Sequence, residues 1–403
     1  MKDTHLFCTQ CKKSYDISRI DPRCVVCHEP LEMAMTEWGT IVDGNPLRQT
    51  ILERYADFFP FDAIDSNVSL YEGFTPLVPS RRLASRLAVN NIFFKNETEN
   101  PTWSFKDRGT VVGVHHALSL GYRRIGTVSS GNMAVSVAAY GARAGLKTYA
   151  LVSTSIPLEK LNPIAVYGAV VIQVEGDYGD LYFRSIEIGK RKGIYFINSD
   201  VPLRVEGSKT IAFEICEQMN FGVPDFVIVP TSSGGNIRGI IKGFEEFRRC
   251  GLISDIPTMV CAQAAGCAPI HDAYINNEDM ISRVEYPQTI AHAIENPYPP
   301  SGNEVLRKLR EGGGLCVAVT DDEMLQAQKE LACEGIFGQP EAAVPLAAVK
   351  KLRERDIIAH DDTVVCIVTG GGLKYTAVCE RHDLIVRSCS LMGLEMLISQ
   401  LWD

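Results

Sequence analysis

The chain has 403 residues, 46% hydrophobic and 22% charged, with a formal net charge of −9, the balance of an ordinary globular protein with two or three structural units and a sizeable core. The acidic charge argues against a nucleic-acid partner, which needs a basic face. No apolar run approaches the roughly 18 residues that span a bilayer, and Met1-Lys2-Asp3-Thr4-His5 lacks the basic and apolar parts of a signal peptide, so no membrane partner and a cytoplasmic location are expected.

Four of the 13 cysteines stand together at the start. Cys8 and Cys11 form one CxxC pair, and Cys24 and Cys27 form another after twelve intervening residues. Two such knuckles suit a tetrahedral Zn²⁺ site, and four thiolates leave no open position for chemistry, so a structural zinc is expected. The alternative is a ribbon that has lost its metal and keeps reduced thiols. His28 reads as a neighbour of the site, not a ligand. The other nine cysteines are scattered, several in apolar contexts, and an odd total without an export signal speaks against a disulfide framework.

Gly44-Asn45-Pro46 marks a turn, and Leu47 to Phe58 carries helical spacing of apolar residues. After Pro76 strands and helices alternate. Asn91 to Lys95 reads as a strand and Ser104 to Leu120 as a helix. Ile125 to Val128 reads as a strand, and Met133 to Ala144 as a helix ending at Gly145. Lys147 to Val152 and Ala169 to Val174 read as strands. Phe226 to Pro230 and Val364 to Val368 are short apolar runs of the kind buried in parallel sheets. The alternation predicts an α/β fold with ligands at the carboxyl ends of the strands.

Three turns lie at such strand-to-helix junctions: Ser129-Ser130-Gly131-Asn132, Thr231-Ser232-Ser233-Gly234-Gly235-Asn236 and Thr369-Gly370-Gly371-Gly372. Glycines admit close backbone approach, and the free N–H groups of a helix start bind anions. The second turn is the best phosphate cradle. Each turn alone is a weak signal and is more often an ordinary connection. Together with Lys106 in Ser104-Phe105-Lys106-Asp107-Arg108-Gly109 they are more specific. The alternative for Lys106 is a surface lysine at a helix start.

This set resembles the fold type II pyridoxal-phosphate (PLP) enzymes. The resemblance implies two doubly wound α/β domains preceded by a small N-terminal zinc-ribbon-like segment. Its boundaries would be 1–42 for the ribbon, 43–108 with 200–403 for a large PLP-binding domain, and 109–199 for a small mobile domain that closes over substrate. It makes Lys106 the Schiff-base lysine and general base, Asn132 the partner of the cofactor's phenolic oxygen, and Ser232, Ser233, Gly234, Gly235 and Asn236 the phosphate loop. Thr369 becomes the hydroxyl facing the pyridine nitrogen, which tempers the electron sink because it does not protonate that nitrogen. A Schiff-base lysine needs a lowered pKa, which a desolvated site supplies.

Most of the chain is similar to the threonine synthase family within that group. Glu72-Gly73-Phe74-Thr75-Pro76-Leu77, Ala138 to Gly145 and Glu206 to Glu214 carry the similarity, although all three also fit packing shared across the wider fold. Asn198-Ser199-Asp200-Val201-Pro202-Leu203-Arg204 bears on substrate. The resemblance implies that Asn198, Ser199 and Arg204 hold the phosphate of O-phosphohomoserine, with Ser130 also at the substrate. The planar fork of Arg204 suits a phosphate, whereas the bland alternative pairs it with an acid such as Glu206. The implied activity converts O-phospho-L-homoserine and water to L-threonine and phosphate, in a homodimer. Trp103, Met133 and Tyr375 depart from the family, which has glycine, threonine and an acid there. Trp103 and Met133 keep open a smaller pocket and O-phosphoserine β-replacement, as in cysteate synthase. A threonine or serine ammonia-lyase is weaker, because it needs no phosphate-binding arginine. A binding module on an inactive PLP fold is a further alternative.

Overall fold

The structure, a computed structural model, describes residues 4–36, 39–45, 48–154, 156, 158–176, 178–382 and 384–401. Three sheets organise it. The first is an antiparallel ribbon of β1 (Thr4–Cys8), β2 (Ser14–Tyr15) and β3 (Leu31–Met35), with β1 in the centre. Next come β4 (Leu77–Pro79) and β5 (Asn91–Asn96), then β6 (Arg124–Val128), β7 (Lys147–Ser153), β8 (Val170–Val174) and β9 (Tyr195–Phe196). The chain continues through β10 (Phe226–Pro230), β11 (Thr258–Ala264), β12 (Leu315–Val319) and β13 (Thr363–Val368).

The large sheet has the order β12-β11-β10-β13-β5-β4, parallel apart from the antiparallel edge strand β4. The small sheet is parallel, in the order β8-β7-β6-β9. The apolar runs that suggested parallel strands are buried on both faces. Val227, Val229, Val365 and Ile367 enter one core, while Ile228, Val364 and Cys366 enter another on the opposite face. That period-two division is what a sheet covered by helices on both sides requires. The strand order also places the ends of β10, β13 and β5 side by side, where ligands of such sheets bind.

Several expected elements change length. Pro46 and Leu47 lie outside the described residues. The helix expected up to Phe58 is a short one, Ile51–Arg54, followed by a 3₁₀ turn at Ala56–Phe58. Thr50 stops it from starting earlier, because a capping box with Glu53 satisfies the first free N–H groups there. The helix expected from Ser104 begins at Lys106, since Ser104 pairs with Gly370 in a β-bridge. The strands β11 and β12 and the helix Pro340–Glu354 are additions to the elements read from the sequence.

Beneath the ends of these strands lies a buried ion network. Arg108 is fully buried and pairs with Glu97 (2.6 Å) and Glu214, while Lys95 pairs with Glu214 at 2.7 Å. Thr75 joins both cations: its hydroxyl accepts from Arg108 Nη2 at 3.1 Å and its carbonyl from Lys95 Nζ at 2.6 Å. Two cations meet two carboxylates, so desolvation is compensated within the group. Burial alone would push the Glu214 carboxyl up, yet the charges of Arg108 and Lys95 hold it well below the usual carboxylate range. Its stabilising effect is therefore complete above the unfolded value of about 4.3 and is lost as pH falls through the lowered folded value. We expect Glu214→Ala to cost about 3–5 kcal/mol of stability by leaving Arg108 and Lys95 underpaired, measured by urea unfolding at neutral pH.

Candidate active site

Lys106 opens the helix Lys106–Ser119, and the loop after β13 sets its position. Phe105 N–H donates to the Thr369 carbonyl at 3.1 Å, and Gly371 N–H donates to the Trp103 carbonyl at 2.9 Å. Trp103 has φ +59°, a left-handed backbone that glycine adopts without cost. The lysine helix then packs against the helix Pro202–Ser208 at glycine contacts. A Cβ on Gly207 would lie 2.0 Å from the Arg108 carbonyl oxygen, and one on Gly109 would lie 2.7 Å from that of Arg204. This close crossing carries Arg204 to Lys106.

The second turn behaves as a cradle. Gly234 takes φ +91°, and the 15-residue helix Gly235–Arg249 starts directly after it. Ser301 N–H holds the turn through the Ser233 carbonyl at 3.0 Å. Asn132 begins the helix Asn132–Arg143 after β6, and its Nδ2 donates to Gln339 Oε1 at 2.7 Å.

Lys106, Asn132, Arg204, Ser232, Ser233, Gly234, Asn236 and Thr369 line one cleft, open to solvent, together with Phe105, Ala293, Ile294 and Glu341. Gly235 sits behind its neighbours at the helix start. Ser130, Asn198 and Ser199 do not line this cleft. Asn198 departs most from expectation. Its Oδ1 accepts from Val128 N–H at 3.0 Å and its Nδ2 faces Ser185 Oγ at 3.5 Å, so its amide ties its own loop to the end of β6. Ser130 is half-buried in the turn before Asn132. Ser199 borders the cradle, with its carbonyl 2.6 Å from where a Gly235 Cβ would be. Trp103 is exposed, and Met133 is buried without lining the cleft, so neither narrows it.

Sequence reasoning missed Gln339 and Glu341. Gln339 precedes Pro340, a residue favoured at a helix start, which could have signalled the helix but not the direction it faces.

The cleft is built for anions. Arg204 is almost fully buried, and its Nε and Nη2 have no hydrogen-bond partner among the described residues; nor do Asn236 Nδ2 and Oδ1. Buried unpaired donors are costly unless a ligand meets them. The pairing of Arg204 with Glu206 is absent, because Glu206 pairs with Lys209 and Lys242. Burial pulls the Arg204 guanidinium down to about 10, against the charges of Asp200 and Asp107, and it remains charged at neutral pH. Burial first, and the positive Arg204 second, hold the Lys106 ammonium far below the ordinary lysine range, against the opposing charge of Glu341. Both effects favour the uncharged, nucleophilic form of the amine. The Ser232–Asn236 turn, at the start of the helix Gly235–Arg249, fits an anionic phosphate group.

The four N-terminal cysteines converge. Their Sγ atoms all lie within 4.8 Å of one another, with Cys8–Cys27 at 3.3 Å and Cys11–Cys24 at 3.6 Å. Four thiolates about 2.3 Å from a tetrahedral zinc stand about 3.8 Å apart, so the residues fit the metal. Burial opposes ionisation of Cys24, but Tyr15 and the N–H groups of Cys27 and Val26 hold its thiol down to about 6.

The family model for "Pyridoxal-phosphate dependent enzyme" matches residues 68–370. The folds of tomato threonine deaminase isoform 2 (22% identity, TM-score 0.65, covering 76% of this chain and 81% of that one) and maize serine racemase (20%, 0.65, 76% and 91%) are similar. The chain belongs to the pyridoxal-phosphate dependent enzymes. The threonine synthase of Methanocaldococcus jannaschii is 41% identical, covering 98% of this chain and 99% of that protein, and that of Methanosarcina acetivorans is 37% identical over 94% and 96%. Within the class, the chain belongs to the threonine synthase family.

The following outcomes are expected. Lys106 in the cofactor-free protein reacts with an amine-labelling reagent at pH values where ordinary lysines, with pKa about 10.4, do not. Arg204→Ala moves that rate–pH profile upward by removing a positive neighbour. Purified protein carries one zinc per chain by elemental analysis, and stripping it with a chelator lowers the thermal midpoint, because metal binding energy is folding energy here.

Proposed function

We propose that the protein is a threonine synthase, converting O-phospho-L-homoserine and water to L-threonine and phosphate. The observation that carries the reading is Arg204: a buried guanidinium whose Nε and Nη2 have no partner among the described residues, in the same cleft as Lys106 and the Ser232–Asn236 cradle. One phosphate site serves the cofactor and a second serves a phosphorylated substrate. A threonine or serine ammonia-lyase has no use for the second.

Bound PLP supplies an electron sink for the carbanion formed beside the amino group. Neutral Lys106 takes the Cα proton at Nζ as general base. Arg204, with Ser199 at its flank, grips the γ-phosphate and neutralises it as it leaves. Asn132, held by Gln339, would meet the cofactor's phenolic oxygen. Thr369, on the same cleft wall, would face the pyridine nitrogen and, as a neutral hydroxyl, would not protonate it. The residues at 109–199 form a unit that closes over substrate to exclude water until it is needed at Cβ. We further propose a homodimer acting in the cytoplasm. Among the described residues no helix is long and apolar enough to cross a membrane.

Incubation with O-phosphohomoserine should release phosphate and threonine in equal amounts, and O-phosphoserine should compete weakly. Absence of both products would sink the reading. Lys106→Ala should lose about 10³-fold or more in rate together with the visible absorbance of the bound cofactor. Arg204→Lys should chiefly raise KM, since an ammonium cannot reproduce the planar fork.

A further inference from the structure

The N-terminal ribbon reaches the loop that leads to Arg204. Arg23 stands one residue before Cys24 in the second knuckle, and its Nη2 lies 2.9 Å from Asp200 Oδ2. Asp200 is fully buried, and the Arg23 side chain is only 16% exposed. The N–H of Arg23 does not point squarely at that oxygen, so charge rather than a directed hydrogen bond holds the pair. Tyr182 from the helix Tyr178–Lys192 donates to the other oxygen, Oδ1.

Asp200 lies between Ser199 and Arg204, on the loop that enters the helix Pro202–Ser208. Its charge is the foremost one acting on the Arg204 guanidinium, yet Arg204 makes no ion pair with it. Ile20 and Pro22 of the ribbon also share a small cavity with Phe196, Asn198 and Val201, so the ribbon touches the rear of the same loop. The ribbon backbone braces Arg23 in turn. Arg23 pairs with Pro30 in a β-bridge, its Nη1 donates to the His28 carbonyl at 3.3 Å, and its own carbonyl accepts from Arg19 Nη2 at 3.1 Å.

We propose that Arg23 is a positioning residue for the substrate-phosphate site. It neutralises the buried carboxylate of Asp200, which would otherwise compete with the substrate's phosphate for Arg204. A buried carboxylate left without its counter-ion seeks the nearest cation. The nearest cation along this loop is the unpaired guanidinium four residues on. The ribbon thus contributes to turnover through a salt bridge, with its cysteine knuckle as the rigid mount. This inference rests on the reading of Arg204 as the substrate-phosphate anchor.

The test uses the PLP-loaded full chain and two readouts: KM and kcat with O-phosphohomoserine, and the dissociation constant of inorganic phosphate by titration calorimetry. Arg23→Ala should raise both KM and the phosphate dissociation constant about tenfold, with kcat within about twofold. Adding Asp200→Asn to that variant should return both constants to within about threefold of the parent, because the competing charge is gone. Asp200→Asn alone should leave both constants unchanged or lower. Unchanged constants in Arg23→Ala, a double variant as impaired as Arg23→Ala, or a rise above about threefold in Asp200→Asn alone would each overturn the proposal. Phosphate affinity needs no turnover. A protein that never converts O-phosphohomoserine refutes the substrate reading, while the phosphate constants still decide the role of Arg23.

Discussion

The active site depends on a buried arginine that takes no part in the chemistry. Arg108 stands two residues beyond Lys106, and Glu97 and Glu214 hold it on either side. Glu97 follows β5 directly, and Glu214 belongs to the helix Thr210–Gln218. The lysine helix is therefore pinned at its first turn to the large sheet and to the following helices at once. Such a network is costly to break because each partner would strand a charge in a medium that cannot solvate it. The glycine contacts at Gly109 and Gly207 complete the constraint by letting two helix backbones meet where side chains would separate them.

What that scaffold holds is a local excess of positive potential around groups without partners. Lys106, charged Arg204 and the unpaired amide of Asn236 share one cleft. The protein tolerates the desolvation cost because the ligands bring the missing charge, a common relation between buried strain and function. A second compensated network, in which Lys209 and Lys242 face Glu206 and Glu246, seats the ribbon. Lys242 donates to the Met33 carbonyl, and Arg238 pairs with Glu32 at 3.2 Å. The ribbon is thereby fastened to the helix that begins at the phosphate cradle as well as to the loop that carries Arg204.

Much of the site was legible in order along the chain because its parts are local. A glycine turn after an apolar run, a lysine in a fixed short motif and paired cysteines each carry their chemistry within a few residues. Asn198 was misplaced because its motif states which groups are available, not which backbone N–H they will satisfy. Only the fold brought the Val128 amide within 3.0 Å of it. Gln339 and Glu341 escaped notice because nothing local distinguishes them from a helix start. The reading of Trp103 and Met133 as residues that shrink the pocket failed for the same reason, since the direction a side chain faces follows from packing.

By itself, then, the sequence determined the class of fold and the likeness of the four cysteines to a metal site, and it singled out Lys106 and the Ser232–Asn236 turn as candidates, because periodicity and short motifs encode local backbone and donor sets. Only the tertiary structure decided which residues share the cleft, which charges are already paired and which stand open. Arg204 could have been matched with Glu206 on sequence proximity, but helix packing gave Glu206 to two lysines and left the guanidinium facing the cleft. Arg23 and Asp200, 177 residues apart in the chain, meet only because the ribbon docks where it does. Electrostatic pairing is a property of distance in space and of burial, and neither is written in the order of residues.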